Sequence, residues 1–285
     1  MSEAIEIGRT QVLLPGFAEM AAAVESVAAR HGSPVVWIGA LARDLILSGV
    51  YDETPRRATR DGDAAVRVES WDAYAAFRDA LVRDHEFVVG DGDQRLVSPQ
   101  SVMLDLVPHG GVAPDGALRW PPDGTPELST TGLSAALEGS VRLRLPGGVV
   151  VRVASLIDQI LLKIVSWSDR PAERAKDAED LRTLLLGYGH TRSRWVYDGH
   201  EDLLDQGVYD LQEAVARIAG RHAQARLAVE PGALHRVHTV VSGQVGLGVD
   251  APLVLAMSPH AMSDDRAKGD LGLLEAFHMG LVDPR

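Results

Sequence analysis

The chain has 285 residues, of which 46% are hydrophobic and 24% charged, and this ordinary globular composition excludes a fully disordered protein. It contains no cysteine, which excludes disulfides, thiolate metal sites and cysteine nucleophiles. The net charge of −12 disfavours broad, non-specific binding to nucleic acid but leaves room for a local basic track.

Helices and short strands alternate in the predicted first half. We expect helices over 17–29 and 41–47, and a third that starts after the capping residue Ser70 and runs to about Arg83. The predicted strands cover 35–38, 61–68, 86–89, 95–97, 102–107, 141–145 and 149–153. The Pro/Gly-rich stretch 108–126 is interpreted as a long connection, and the last two strands as a hairpin.

Helical patterns dominate the predicted second half, over 156–167, 171–186 and 209–227. Pro171 fits the first position of a helix. We therefore predict an α/β (α+β) fold with a small mixed sheet and a helical C-terminal region, divided into domains at 1–154 and 155–285. No run reaches the roughly 18 apolar residues of a membrane span, and the first residues are acidic where a signal peptide is basic. We expect a cytoplasmic protein with no membrane partner.

Two aspartates stand at the start of the strand predicted over 61–68. Because side chains alternate along a strand, Asp61 and Asp63 share one face about 7 Å apart. Such carboxylates repel each other unless a cation lies between them, and oxygen ligands favour a hard cation such as Mg²⁺. The pattern alone is weak evidence, since Asp91-Gly92-Asp93 repeats it in what we interpret as a turn.

The segments around this pair strengthen the interpretation. Upstream, the strand over 35–38 runs into Gly39 and a helix start, a turn that points backbone N–H groups at an anion. Downstream, Asp105 interrupts an apolar strand, where a carboxylate is costly unless it is paired or metal-bound. Three such strands side by side would suit two-metal phosphoryl chemistry.

The sequence resembles the DNA polymerase β-like nucleotidyltransferase superfamily and, within it, the AbiEii-type toxins of bacterial toxin–antitoxin systems. The resemblance covers roughly residues 35 to 190. It rests on Gly39…Arg43-Asp44, on Arg57-x-Thr59-x-Asp61-x-Asp63, on Asp105-Leu106-Val107-Pro108 followed by Gly110-Gly111, and on Lys163…Asp169-Arg170…Lys176-Asp177…Asp180-Leu181.

This resemblance implies a catalytic domain over 1–154 and a helical domain over 155–285 that completes the nucleotide and acceptor cleft. It implies a two-ion Mg²⁺ site held by Asp61, Asp63 and Asp105, with Lys163 as a further catalytic residue. The residues that it assigns to the nucleotide or acceptor are Gly39, Ala40, Arg43, Arg57, Thr59, Arg170, Lys176 and Asp177. Ala40 departs from the family, which usually has Gly or Ser there, so a hydroxyl contact to phosphate is missing.

The implied activity is transfer of a nucleoside monophosphate from an NTP to an acceptor hydroxyl, with release of pyrophosphate. The implied acceptor is RNA, such as a tRNA 3′ end, and the implied partner is a cognate antitoxin. Two alternatives stay open. One is a small-molecule nucleotidyltransferase of the antibiotic-modifying kind, and the other is a catalytically silent nucleotide-binding or interaction protein, which Ala40 favours.

Three of these residues also have simpler interpretations. Lys163 equally fits a lysine whose stem lies along an amphipathic helix. Lys176 and Asp180 have the spacing of an exposed ion pair worth about 0.3–0.5 kcal/mol. For Thr59, more than for Arg57, the alternative is a side-chain hydrogen bond that orders the loop before the strand.

Overall fold

The chain divides into two compact units in a computed structural model, Met1–Ser155 and Leu156–Arg285. The structure describes residues 3–7, 14–53, 59–125, 127–192, 196–208, 210–228, 230–259 and 263–283, apart from the side chains of 190–192. The first unit contains a mixed sheet with helices, and the second is helical. The predicted fold class, a mixed α/β arrangement followed by a helical C-terminal region, is therefore confirmed.

The first unit is built on strands of a mixed sheet. Its described strands are β1 (Ile5–Glu6), β2 (Val35–Ile38), β3 (Asp61–Val68), β4 (Val88–Val89), β5 (Arg95–Val97), β6 (Met103–Gly110), β7 (Ala117–Arg119), β8 (Glu127–Ser129), β9 (Val141–Arg144) and β10 (Val150–Val153). The main sheet has the order β1-β9-β10-β2-β3-β6-β5-β4. Strands β3 and β6 run parallel at its centre, β2 is antiparallel to β3, and β5 is antiparallel to β6.

Helices follow the strands of this unit at points that the sequence marks. They are α1 (Phe17–His31), α2 (Gly39–Leu47), α3 (Trp71–His85) and α4 (Leu133–Glu138). Gly32 ends α1 with a φ of 63°, a left-handed conformation that glycine adopts easily. The Ser70 hydroxyl accepts a hydrogen bond from the Ala73 N–H at 3.2 Å and so caps α3, as predicted.

The stretch 108–126 contains more structure than a long connection. Strand β6 extends to Gly110, and Ala117–Arg119 pairs antiparallel with β8 in a separate two-stranded sheet. Trp120, which follows β7, is buried and packs against Trp71 at 5.4 Å and Tyr74 at 5.8 Å between ring centroids. The prediction of a plain connection was wrong because the packing of Trp120 is a tertiary effect that the Pro/Gly-rich composition conceals.

The second unit is a set of helices. They are α5 (Leu156–Asp169), α6 (Ala175–Arg192), α7 (Asp202–Asp205), α8 (Leu211–Leu227), α9 (Pro231–Leu247), α10 (Pro252–Met257) and α11 (Asp264–Val282), with a 3-10 turn at Gly248–Asp250. The predicted start at Tyr209 lies outside the described residues, and Asp210 caps α8 through the N–H groups of Gln212 and Glu213. Along the described residues, no helix combines the length and apolarity needed to cross a membrane.

Helices α8 and α11 approach each other closely at two glycines. A Cβ added to Gly220 would lie 2.1 Å from the Phe277 carbonyl oxygen, and one added to Gly280 would lie 2.0 Å from the Arg217 carbonyl oxygen. Real Cβ atoms do not come this near to backbone oxygens. The crossing therefore depends on the absence of a side chain at both positions.

Helix α6 starts later than the sequence predicts. The structure begins it at Ala175, and Pro171 lies in a preceding turn in which the Arg170 carbonyl accepts hydrogen bonds from the N–H groups of Glu173 and Arg174. The fixed φ of proline suits the second position of such a turn as well as the first position of a helix. The prediction of a helix start at Pro171 was wrong for this reason.

Candidate active site

Three carboxylates lie on one face of the adjacent strands β3 and β6. Asp61 begins β3 and Asp63 follows two residues later, so the alternation of the strand places both on the same side of the sheet. The parallel register pairs Asp63 with Asp105 of β6. Because directly paired residues share a face, Asp105 joins the other two. The structure thus places side by side the three aspartates that the sequence predicts as metal ligands.

Gly62, between the first two aspartates, faces the opposite side of β3. A Cβ there would lie 2.9 Å from the end of the Met20 side chain and 3.1 Å from the Trp37 ring. The core is therefore closely packed behind the strand at Gly62, whereas the residues on either side carry the charge.

Gly39 brings the first turn of α2 against one of these carboxylates. It has a φ of 73°, and a Cβ added to it would lie 2.2 Å from Oδ2 of Asp63. The first turn of α2 contains no acidic residue, so no side chain of that turn neutralises the positive end of the helix. The positive start of α2 and the carboxylate face are therefore neighbours, with Ala40 as the second residue of the turn.

Arg43 and Thr59 are both bound to Asp44. The Arg43 guanidinium is buried and donates from Nε to Oδ1 of Asp44 at 2.9 Å, while the Thr59 hydroxyl donates to Oδ2 of Asp44 at 2.8 Å. The Thr59 bond orders the residues before β3, as the loop-ordering interpretation predicts. Arg43, predicted for the nucleotide or acceptor site, is buried beside Asp44. Arg57 lies outside the described residues.

Arg95 is the residue of this site that the sequence analysis missed. It lies on β5 directly across from Asp105, and it binds both carboxylate oxygens, Nε to Oδ1 at 2.7 Å and Nη2 to Oδ2 at 2.6 Å. Hydrogen bonding to Asp105, and then the charges of Asp105, Asp61 and Asp63, raise the pKa of Arg95 above its usual value. An arginine on a short strand beside an aspartate-bearing strand was the available signal.

The carboxylate face suits a hard cation, although its ligands are not assembled around one. Within the described part of the chain, no group of three or more His, Asp or Glu side chains is arranged to hold a metal ion. At this face, the Arg95 guanidinium is a positive group that already binds Asp105. Carboxylate oxygens are the ligand type that Mg²⁺ prefers, so the chemistry of these three side chains, although not their present arrangement, fits that ion.

Lys163, on α5 of the second unit, binds two buried aspartates of α6. Its Nζ lies 2.6 Å from Oδ1 of Asp177 and 2.8 Å from Oδ2 of Asp180, and the Ser166 hydroxyl donates to Oδ2 of Asp177 at 2.8 Å. Burial opposes the charged ammonium, but the charges of Asp180 and Asp177 outweigh it and raise the Lys163 pKa. The structure thus brings together, within the second unit, two of the predicted site residues, Lys163 and Asp177.

The remaining predicted residues of this unit lie at its surface. Lys176 is exposed, and Asp180, predicted as its ion-pair partner, binds Lys163 instead. The spacing of Lys176 and Asp180 suggested an exposed pair, but Asp180 is buried and its carboxylate faces α5. Arg170 is partly exposed and lies 3.4 Å from the carboxylate of Glu173.

Comparisons with known proteins find similarity among solved structures. No protein-family model matches the chain, and a search of curated proteins finds no match. Among solved structures, the chain is similar to the antibiotic-resistance factor ANT(2'')-Ia, with 16% sequence identity and a TM-score of 0.36. The match covers 67% of this chain and 98% of that one.

Proposed function

We propose that this chain is a Mg²⁺-dependent nucleotidyltransferase with a polymerase β-like catalytic domain. The observation that carries the proposal is the register of β3 and β6, which sets Asp63 beside Asp105 with Asp61 on the same face. The contact of Gly39 with Asp63 adds a helix start that suits phosphate.

In the proposed reaction, the acceptor oxygen bonds to the α-phosphorus of an NTP and the acceptor proton passes to water. The bond from that phosphorus to the α,β-bridging oxygen breaks, and pyrophosphate leaves with the electron pair. Mg²⁺ held by Asp61, Asp63 and Asp105 would neutralise the phosphates and make the attacking hydroxyl more acidic. The N–H groups that open α2 would donate hydrogen bonds to phosphate oxygens and so orient the nucleotide.

The acceptor that we propose is RNA, at a tRNA 3′ end, in a toxin restrained by an antitoxin. The support for this finer assignment is the sequence resemblance to AbiEii-type toxins. A chain with a net charge of −12 needs a local basic surface to bind RNA. In the second unit, Arg174 lies 3.6 Å from Asp177, so part of its charge is already neutralised.

The test is incorporation of label from each α-³²P-labelled NTP, with Mg²⁺, into total RNA and, in parallel, into an aminoglycoside. We compare the wild-type protein with a D61N/D63N variant. The matched control is D91N/D93N, because Asp91-Gly92-Asp93 is the same tripeptide in an exposed turn. We expect D61N/D63N to lower incorporation by about a hundredfold or more, since the ion contributes several kcal/mol. The control variant should keep wild-type incorporation.

The outcomes separate the two levels of the proposal. Label in a tRNA-sized band supports both the chemistry and the acceptor class. Label only in the aminoglycoside supports the chemistry and overturns the RNA assignment. Absence of incorporation with every nucleotide and acceptor, or equal incorporation by wild type and D61N/D63N, overturns the chemistry at this site.

A further inference from the structure

Arg95 occupies a place that the sequence did not assign to any function. Residues Asp63, Asp105 and Arg95 form a row across β3, β6 and β5, each paired directly with the next. Both oxygens of the Asp105 carboxylate are bound by the guanidinium in a two-point contact. Such a planar contact is among the stronger ion pairs, because two parallel charge-assisted hydrogen bonds act together.

The chain makes room for this arginine. A Cβ added to Gly90, in the turn before β5, would lie 2.7 Å from the Arg95 Cγ. The Gly90 N–H also donates to the Arg95 carbonyl oxygen at 3.1 Å. The aliphatic stem of Arg95 therefore lies over a backbone that has no side chain, and its head is directed to Asp105 while about a third of the side chain, 32%, stays exposed.

Three carboxylates on one face repel one another, so the protein needs a positive charge there whenever no metal ion is bound. Arg95 supplies that charge through both oxygens of Asp105, which is paired directly with Asp63 and shares its face with Asp61. A divalent ion and a guanidinium that bind the same carboxylate also repel each other. Full coordination by Asp105 and the bidentate contact with Arg95 are therefore competing states.

We propose that Arg95 is an internal counter-ion that holds the carboxylate face in the metal-free protein and leaves Asp105 when a divalent cation binds. The inference rests on the proposed function, because it assigns the regulation of the same metal site. The observed metal affinity would then be the free energy of binding the cation less the free energy of the contact between Arg95 and Asp105. The site would then load only when the divalent cation, or the cation together with nucleotide phosphates, outcompetes the guanidinium.

The test is a titration with Mn²⁺, a paramagnetic substitute for Mg²⁺. Electron paramagnetic resonance measures the concentration of free Mn²⁺ at each step. The variant R95Q removes the charge but keeps a polar group that can form hydrogen bonds. The variant R95K keeps the charge but lacks the planar guanidinium. We expect R95Q to bind Mn²⁺ about tenfold more tightly than wild type and R95K to fall between them. The matched control is R67Q, an exposed arginine on the same face of β3.

Thermal unfolding provides a second readout on the same proteins. In EDTA, R95Q should melt below wild type because three carboxylates are left without their counter-ion, and Mn²⁺ should restore its melting temperature. A D61N/D63N variant identifies binding at this face, since it should lose the Mn²⁺ site in either background.

The results distinguish this inference from the proposed function. Mn²⁺ binding that depends on Asp61 and Asp63 but is equal in wild type and R95Q overturns the counter-ion role and leaves the metal site standing. Absence of any Mn²⁺ binding that depends on these aspartates, in wild type and R95Q alike, overturns the metal site and with it the proposed function. Tighter binding by R95Q than by both wild type and R67Q supports the inference.

Discussion

Gly39 combines two constraints that separate variants can distinguish. Its φ of 73° is one that side chains rarely adopt, and its α-carbon lies against the Asp63 carboxylate. We expect G39A to lower the free energy of unfolding by roughly 3 kcal/mol or more, because it adds a steric clash to an unfavourable φ. Urea unfolding followed by circular dichroism measures the change.

Gly32 is the matched control for this experiment. Its φ of 63° is similar, but a Cβ there would meet nothing within 4 Å. The variant G32A should cost only about 1 kcal/mol, the usual penalty for a left-handed alanine. Equal losses in G32A and G39A would contradict the close approach of Gly39 to Asp63.

At the scale of single elements, Lys163 holds α5 to α6. Replacing it with methionine removes the ammonium that binds both buried aspartates, Asp177 and Asp180. Arg174, 3.6 Å from Asp177, offsets only part of that loss, so we expect K163M to lose about 3–5 kcal/mol of unfolding free energy. The control is K176M, an exposed lysine of α6, which should change stability by about 0.5 kcal/mol or less. Chemical denaturation with both variants decides the question.

This prediction also affects how activity measurements are interpreted. Loss of nucleotidyl transfer in K163M would not identify Lys163 as catalytic unless the variant remained folded under assay conditions. A K163M protein as stable as wild type would contradict the structural role that the two ion pairs indicate.

Strands with a regular pattern could be predicted from the sequence, and the contacts between them could not. The bounds 35–38, 61–68 and 95–97 agree with the structure because alternation and apolar runs are local properties. The pairing of Arg95 with Asp105 depends on the register of two strands, which the sequence does not specify locally. Asp61, Asp63 and Asp105 could be singled out only because charged residues are unusual within otherwise apolar strands.

The same distinction holds in the helical unit. The sequence predicted Lys163 and Asp177 as site residues, but it paired Asp180 with Lys176, four residues away. Helical spacing shows which residues share a helix face, but it does not show which face packs against another helix. The buried contact of Asp180 with Lys163 is a tertiary contact and therefore could not be predicted from spacing.

At the scale of the whole molecule, the buried His109 and the partly buried Glu25 make stability depend on pH in opposite directions. Burial lowers the pKa of His109 from 6.5 to about 4, and among the described residues neither ring nitrogen has a hydrogen-bond partner. Between these values the unfolded chain binds the proton more tightly, so stability falls as the pH drops, by about 3 kcal/mol in total. Burial raises the pKa of Glu25 from 4.5 to about 7. Because the folded protein then binds this proton more tightly than the unfolded chain does, stability falls as the pH rises through that interval.

Two variants test these opposite slopes. The H109L variant should lose less stability than wild type on acidification from pH 6.5 to 4, and E25Q should lose less on going from pH 4.5 to 7. The measurement is the free energy of unfolding at each pH, with H31Q as a control because His31 is exposed on α1. Parallel pH profiles for wild type and either variant would show that the corresponding residue does not govern the dependence.

The crossing of α8 and α11 has a consequence for how this sequence can diverge. The Cβ of any residue at Gly220 would meet the backbone at Phe277, and that of any residue at Gly280 would meet the backbone at Arg217. A side-chain clash can be relieved by a second, compensating mutation, but a backbone clash cannot be relieved by trimming a neighbouring side chain. Neither glycine therefore has a partner with which it could covary, and any lineage that keeps this crossing keeps both glycines.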